Sequence, residues 1–299
     1  MAGGSLMLAS PAYNAQVPEW QRLGFVPGLT LRAFGMRRSG NHAIIGWLQR
    51  NAPQGRALFL NDCRRRQHPM EAFASVQANG QKVSRRRARG NLPKIGRELG
   101  DGALLLISYE DVSPLHNLPG KPISGDFNQS LISRNILIYR SFLNWAASMT
   151  KKLETNKTFS IVRRMSVLLR SVDLYGDLLS CVRKDQDTQP ICYDDWAANP
   201  DYRADTLQKL GLEQRDNSLG DIPSFGGGSS FQKDTDDSAQ LTTDQRWRQM
   251  LGDPLYQHIL QISARDPKLL ARIESLFPED AAILQKIAGG SPMTPEALQ

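Results

Sequence analysis

One stretch of the sequence decides the fold: residues 29–48 read LTLRAFGMRRSGNHAIIGWL. Its first six residues, 29–34, form a short apolar run that is typical of a buried strand. The residues from Gly35 to Gly40 form a turn with a glycine at each end, and apolar residues then recur at helical spacing from Ala43 to Leu48. The stretch therefore predicts a strand, a loop and a helix in immediate succession.

Similar apolar runs occur further along the chain. They predict three more strands and a possible fifth, over residues 57–60, 103–108, 135–139 and 189–193. Helical spacing is clearest over residues 163–182, and residues 255–277 predict terminal helices. Runs that are apolar at nearly every position are typical of parallel strands buried on both faces. We therefore predict an N-terminal arm over residues 1–28 and one α/β domain over residues 29–299, with a central parallel sheet flanked by helices.

The composition limits the classes of partner and compartment. The chain has 299 residues, with 37 Lys+Arg against 30 Asp+Glu, and a net charge of +7 favours an anionic partner. Cys63, Cys181 and Cys192 have neither disulfide-framework nor metal-site spacing, so we expect a reducing, cytoplasmic location. Because the sequence has neither a basic leader before an apolar core nor about 18 consecutive apolar residues, we expect no signal peptide and no membrane span.

A basic segment lies between the second and third predicted strands, at about residues 64–97. Its basic residues are Arg64, Arg65, Arg66, Lys82, Arg85, Arg86, Arg87, Arg89, Lys94 and Arg97. Two interpretations stay open: a solvated, partly mobile insertion, or an electrostatic funnel for an anion, a cofactor or an acceptor. No recognisable nucleic-acid-binding module accompanies these residues, so we do not expect a nucleic-acid partner.

The turn from Gly35 to His42 has the GxxxxG outline of a P-loop. Its glycines let backbone N–H groups approach a phosphate, and the helix that follows adds its positive N-terminal end. A Walker loop would continue with Lys and Ser/Thr for the β/γ-phosphates and Mg²⁺, but Asn41 and His42 stand there. The turn therefore predicts a phosphate site without a bound metal. A P-loop kinase or NTPase remains the alternative, with Asp62 as its candidate magnesium ligand.

Two motifs resemble those of the cytosolic sulfotransferases, which use 3′-phosphoadenosine 5′-phosphosulfate (PAPS). Residues 38–42, RSGNH, are similar to KSGTT in the family's PKSGTTW loop. Arg140 ends a predicted strand and Ser148 follows eight residues later, as do the family's Arg and Ser that hold the 3′-phosphate. Residues 191–196, ICYDDW, resemble the family's YED segment, and residues 226–231, GGGSSF, resemble its C-terminal loops. The resemblance covers about residues 30–260.

This resemblance implies a P-loop NTPase-like sulfotransferase fold. It implies transfer of a sulfuryl group from PAPS to a hydroxyl or amine, which leaves 3′,5′-adenosine bisphosphate (PAP). The residues that it implies for cofactor binding are Arg37, Arg38, Ser39, Gly40, Asn41, His42, Arg140, Ser148, Tyr193, Ser229 and Ser230. A soluble bacterial tailoring enzyme that sulfates a small metabolite or glycan fits the sequence, and the oligomeric state stays open.

Sulfuryl transfer is a loose in-line displacement that needs an anion cradle, a leaving-group stabiliser and a base. Arg38 stands at the family's lysine and stays protonated, so it can neutralise the departing oxygen but cannot donate a proton. Relatives use a His or a Glu as base after the third predicted strand. Glu110, at the carboxyl end of that strand, is the first candidate, and His116 in the following loop is the second. His42 follows the cradle too closely to be an easy base.

Overall fold

The structure is a computed structural model that describes residues 17–118, 120–184, 187–220 and 245–298. The described chain forms a seven-stranded sheet with the order β4-β3-β2-β5-β1-β6-β7. Its strands are β1 (Leu29–Gly35), β2 (Ala57–Asn61), β3 (Ser75–Ala78), β4 (Gln81–Val83), β5 (Leu104–Glu110), β6 (Arg134–Tyr139) and β7 (Thr188–Cys192). The five strands that lie side by side in the order β2-β5-β1-β6-β7 run parallel to one another, which confirms the predicted α/β class.

Helices cover both faces of this sheet and bury a separate apolar cluster on each. Those of the smaller cluster are α2 (Asn41–Arg50), α7 (Tyr193–Ala198) and α8 (Pro200–Leu210). The larger cluster contains residues of α1 (Pro18–Leu23), α3 (Pro69–Ala72), α4 (Arg85–Leu99), α5 (Phe142–Glu154), α6 (Ile161–Lys184), α9 (Arg246–Gln249), α10 (Pro254–Ala264), α11 (Pro267–Glu274), α12 (Pro278–Ala288) and α13 (Pro295–Leu298). Burial on both faces explains why the central parallel strands consist mostly of apolar residues. Within the described ranges, no helix combines the length and the apolar character needed to cross a membrane.

The basic segment contains structure that the apolar pattern did not predict. It supplies β3 and β4, which pair antiparallel and extend the sheet beyond β2, and then α4. The hairpin turn between the two strands is Asn79-Gly80, with φ values of 51° and 76°. Asn-Gly is the pair favoured where both turn residues need positive φ. The Asn79-Gly80 dipeptide could have predicted this hairpin. The apolar pattern could not, because β3 and β4 are short and largely polar.

The start of α5 is fixed by residues far away in the sequence. The Asp280 carboxylate, from α12, accepts hydrogen bonds from Ser141 Oγ at 2.8 Å and from the Leu143 N–H at 3.1 Å. Burial raises the pKa of Asp280 to about 6. Tyr175 Oη, from α6, donates to the Arg140 carbonyl at 2.6 Å. The junction between β6 and α5 is therefore held by two other helices, and Arg140 lies at that junction.

Candidate active site

The carboxyl ends of four neighbouring strands meet at one edge of the sheet. Gly35, the last residue of β1, pairs with Glu110 at the end of β5 and with Ile138 near the end of β6. Ile138 in turn pairs with Ile191 of β7. Since ligands of open α/β sheets bind at the carboxyl ends of the strands, this edge is the expected position of a site.

The loop from β1 to α2 has the backbone shape of an anion cradle. Arg38 and Gly40 both have positive φ, 70° and 90°, and the Gly40 carbonyl accepts hydrogen bonds from the Ala43 and Ile44 N–H groups. Asn41 Nδ2 donates to the Met36 carbonyl at 3.1 Å and so closes the loop. The first N–H groups of an α-helix have no acceptor within the helix, so those at the start of α2 can bind an anion.

Tyr193 packs directly against this loop. A Cβ atom added at Gly40 would lie 2.0 Å from Tyr193 Cδ2, a distance that real contacts do not reach. The Arg140 guanidinium lies over the Tyr193 ring, with its Cζ 4.8 Å from the ring centre. Tyr193 is the first residue of α7, not the last of a strand as the sequence predicted, and this position brings its ring to the cradle.

We expect Gly40→Ala to destabilise the protein by about 1–3 kcal/mol, because the new side chain meets the Tyr193 ring and alanine at this φ is strained. Gly46→Ala in the same helix is the matched control, since its Cβ meets nothing nearer than Arg50 Nη1 at 3.8 Å. The control should gain about 0.5–1 kcal/mol. Urea unfolding of both variants measures the difference. Equal midpoints would contradict the close packing described for Gly40.

Three guanidinium groups converge beside the cradle. Arg140 Nη1 donates to the Arg38 carbonyl at 3.3 Å, and Arg246 Nη1 donates to Ser148 Oγ at 3.1 Å. Burial and the charge of Arg140 lower the pKa of both Arg38 and Arg246, the latter to about 10. Because guanidinium groups carry a positive charge in proteins, the site holds a concentrated positive charge.

The Asp194 carboxylate, in α7, faces this positive cluster. Asp194 Oδ1 lies 3.9 Å from Arg140 Nη2, and Asp194 Oδ2 accepts a hydrogen bond from the Ser141 N–H at 2.6 Å. Asp194 therefore orients Arg140 and holds the start of α5 at the same time. The charge of Glu110 also acts on Arg38. A cluster of three guanidinium groups favours an anionic ligand.

The opposite side of the cradle is acidic. Glu110 Oε1 lies 3.4 Å from Asn41 Nδ2 and 3.8 Å from His42 Nε2. Burial, and secondly the charge of Asp62, raise the pKa of Glu110. Burial and the charge of Arg38 lower the pKa of His42, so its imidazole is neutral at pH 7. A carboxylate with a raised pKa beside an anion cradle is suited to accept a proton from a nucleophile.

Other residues predicted from the sequence lie further from this centre. Arg37 is exposed, with its Nε 2.9 Å from Asp111 Oδ2, and its carbonyl accepts a hydrogen bond from Trp145 Nε1. His116 is exposed in the loop after β5, with its Nδ1 3.2 Å from Arg65 Nη1. Ser229 and Ser230 lie outside the described residues. In the described part of the chain, no group of three or more His, Cys, Asp or Glu is arranged to hold a metal ion.

Sequence reasoning missed Arg246, and it gave Asp62 only as a magnesium ligand of the kinase alternative. Arg246 contacts Ser148 across 98 positions of sequence, and no local motif marks it. Asp62 follows β2, which neighbours β5, and its charge raises the pKa of Glu110. Adjacent parallel strands end side by side, so Asp62 could have been placed near Glu110 had the strand order been known.

Comparison with known proteins gives one remote likeness. No protein-family model matches this chain, and no curated protein matches it. The solved structure of mouse sulfotransferase SULT7A1 complexed with PAP is similar, with a TM-score of 0.43 and 14% sequence identity over 91% of this chain and 94% of that chain. That likeness is too remote to assign a role to any residue of this chain.

Proposed function

We propose that the protein is a sulfotransferase that moves a sulfuryl group from PAPS to a hydroxyl or amine of a small metabolite or glycan. The observation that carries this proposal is the convergence of Arg38, Arg140 and Arg246 beside the start of α2 and α5. Like charges held close together in a partly buried site lower the stability of the ligand-free protein. A nucleotide that carries anionic groups at its 3′ and 5′ positions would offset that loss of stability.

The residues present fit such a nucleotide. The start of α2 and Arg38 would hold the 5′-phosphosulfate, while Arg140, Ser148 and Arg246 would hold the 3′-phosphate. The Ser39 hydroxyl is buried in the cradle and has no hydrogen-bond partner within the described ranges. An unpaired buried hydroxyl costs free energy, and an anion in the loop would supply an acceptor.

Bound PAPS would supply an activated sulfuryl group. The chain's own residues then have three tasks. Glu110 takes the proton of the acceptor hydroxyl as its oxygen forms a bond to sulfur. Arg38 neutralises the bridging phosphate oxygen, which keeps the electron pair of the S–O bond that breaks. The backbone N–H groups at the start of α2 stabilise the sulfuryl oxygens. Atoms and charge balance: the sulfated acceptor and PAP leave, and Glu110 returns its proton to water.

The proposal is tested by ligand-dependent stability. We expect PAP to raise the melting temperature strongly and ATP with Mg²⁺ to raise it little, because Asn41 and His42 replace the Walker Lys and Ser/Thr. Turnover of PAPS should persist in EDTA. If ATP with Mg²⁺ stabilises the protein more than PAP does, and EDTA abolishes turnover until Mg²⁺ is restored, the kinase or NTPase interpretation replaces this one.

A further inference from the structure

A cleft of about 440 Å³ opens beside Glu110 on the side away from the arginine cluster. Its wall combines two carboxylates, Asp62 and Glu110, with an apolar surface that includes Phe73 and Val112. Arg64 and Arg65 also line it. This volume falls within the range of sites for small molecules. Since the candidate base lies in its wall, the cleft is where an acceptor would bind.

The two arginines of the cleft are available to a ligand. Arg64 and Arg65 are exposed, and within the described part of the chain neither forms a salt bridge. Arg65 Nη1 has the His116 ring nitrogen as its neighbour at 3.2 Å. By contrast, Arg37 on the other side of Glu110 is paired with Asp111. Among the described residues, no carboxylate lies within salt-bridge distance of Arg64 or Arg65, although Asp62 and Glu110 belong to the same wall.

The backbone that carries these arginines is fixed. The N–H groups of Asp62 and Cys63 donate to Ser108 Oγ and to the Ser108 carbonyl, at 3.0 and 2.8 Å. The Arg64 N–H donates to the Ala72 carbonyl at 2.9 Å. Anchoring to β5 and α3 therefore fixes the main chain from which both arginine side chains extend at the cleft.

We propose that the acceptor is a small hydroxyl compound that also carries a carboxylate, sulfate or phosphate group, which Arg64 and Arg65 bind while its hydroxyl faces Glu110. This inference rests on the proposed sulfotransferase function. The neighbouring Arg64 and Arg65 favour an anionic group at their end of the cleft, while Asp62 and Glu110 lie with the reacting hydroxyl. Guanidinium groups bind carboxylate, sulfate and phosphate through paired hydrogen bonds, which also orient the ligand.

The test uses ³⁵S-labelled PAPS and a bacterial polar metabolite extract divided by ion exchange into anionic, neutral and cationic fractions. We expect the label to enter products of the anionic fraction. The double variant Arg64→Ala/Arg65→Ala should lower that labelling at least about tenfold while PAP affinity stays within about twofold. The matched control, Arg86→Ala/Arg97→Ala, removes the same charge from exposed positions of α4 outside the cleft and should keep the labelling.

Each remaining outcome counts against the inference. Labelling of the neutral or cationic fraction alone would overturn it, and so would labelling of no fraction. Equal losses in the cleft variant and in the control would show that net charge, not the cleft, attracts the acceptor. Absence of PAP binding by the unaltered protein would instead refute the sulfotransferase proposal itself, so the two failures are distinguishable.

Discussion

Replacing Arg140 with alanine is expected to weaken PAP binding about a hundredfold. A charge-assisted hydrogen bond contributes about 1.5–3 kcal/mol, and Arg140 is 1% exposed, so water screens its charge little. The loss should fall on the 3′-phosphate. Calorimetry with PAP and with 5′-AMP, which lacks that phosphate, therefore tests the assignment: the preference for PAP over 5′-AMP should largely disappear in the variant.

Two further variants separate this effect from damage to the cradle. Arg140 also donates to the Arg38 carbonyl, so its removal could disturb the loop. Arg246→Ala removes the contact with Ser148 and is expected to lower the same preference. Arg203→Ala removes a buried arginine that binds the carbonyls of Trp196 and Asn217, and this control should lose stability but keep its PAP affinity. Unchanged PAP affinity in both Arg140→Ala and Arg246→Ala would contradict the assignment of these residues to the 3′-phosphate.

The sequence predicted the centre of the fold because that part obeys local rules. The central strand β5 is buried on both faces, so its residues 104–107 are apolar without interruption and every side chain there is fully buried. The glycine-bounded turn after β1 predicted a phosphate cradle for a similar reason, since Gly40 needs positive φ and a close approach by Tyr193. Position in a parallel sheet then placed Glu110 next to Gly35.

What the sequence did not predict depends on contacts between distant segments. β4 forms an exposed edge of the sheet beyond β3, and its polar residues Gln81 and Lys82 are tolerated there, so the apolar pattern is absent. Arg246 joins the site only because α9 packs on α5, which brings it to Ser148. His116 lies in a loop that leaves the sheet toward Arg65, and no spacing rule fixes where such a loop goes.

The largest effect on turnover is expected from Glu110→Gln. Removal of a general base slows a reaction by about 10²–10⁴-fold, while PAP affinity should change little because the arginine cluster is intact. Glutamine keeps the size of the side chain and an oxygen for the Asn41 contact, so the cradle should survive. Steady-state turnover, together with calorimetric PAP affinity, measures the two effects separately.

The pH profile gives this prediction a second readout. A base must be deprotonated to act, so turnover should rise with pH through the pKa of Glu110, which burial and Asp62 raise above its usual value of 4.5. Asp62→Asn removes the charge that disfavours the ionised carboxylate. The rise of turnover with pH should therefore occur at lower pH in Asp62→Asn. In Glu110→Gln, which has no carboxylate at this position, that rise should be absent.

Two histidine variants decide between Glu110 and its rivals. His42 is neutral at pH 7 and lies 3.8 Å from Glu110, so it can orient the carboxylate, and His42→Ala should lower turnover less than Glu110→Gln does. His116→Ala should lower turnover less than Glu110→Gln does, because its ring is exposed and contacts Arg65, not the Glu110 carboxylate. If Glu110→Gln keeps near-normal turnover while His116→Ala or His42→Ala loses it, that histidine is the base, and the carboxylate at the end of β5 serves to hold the cradle.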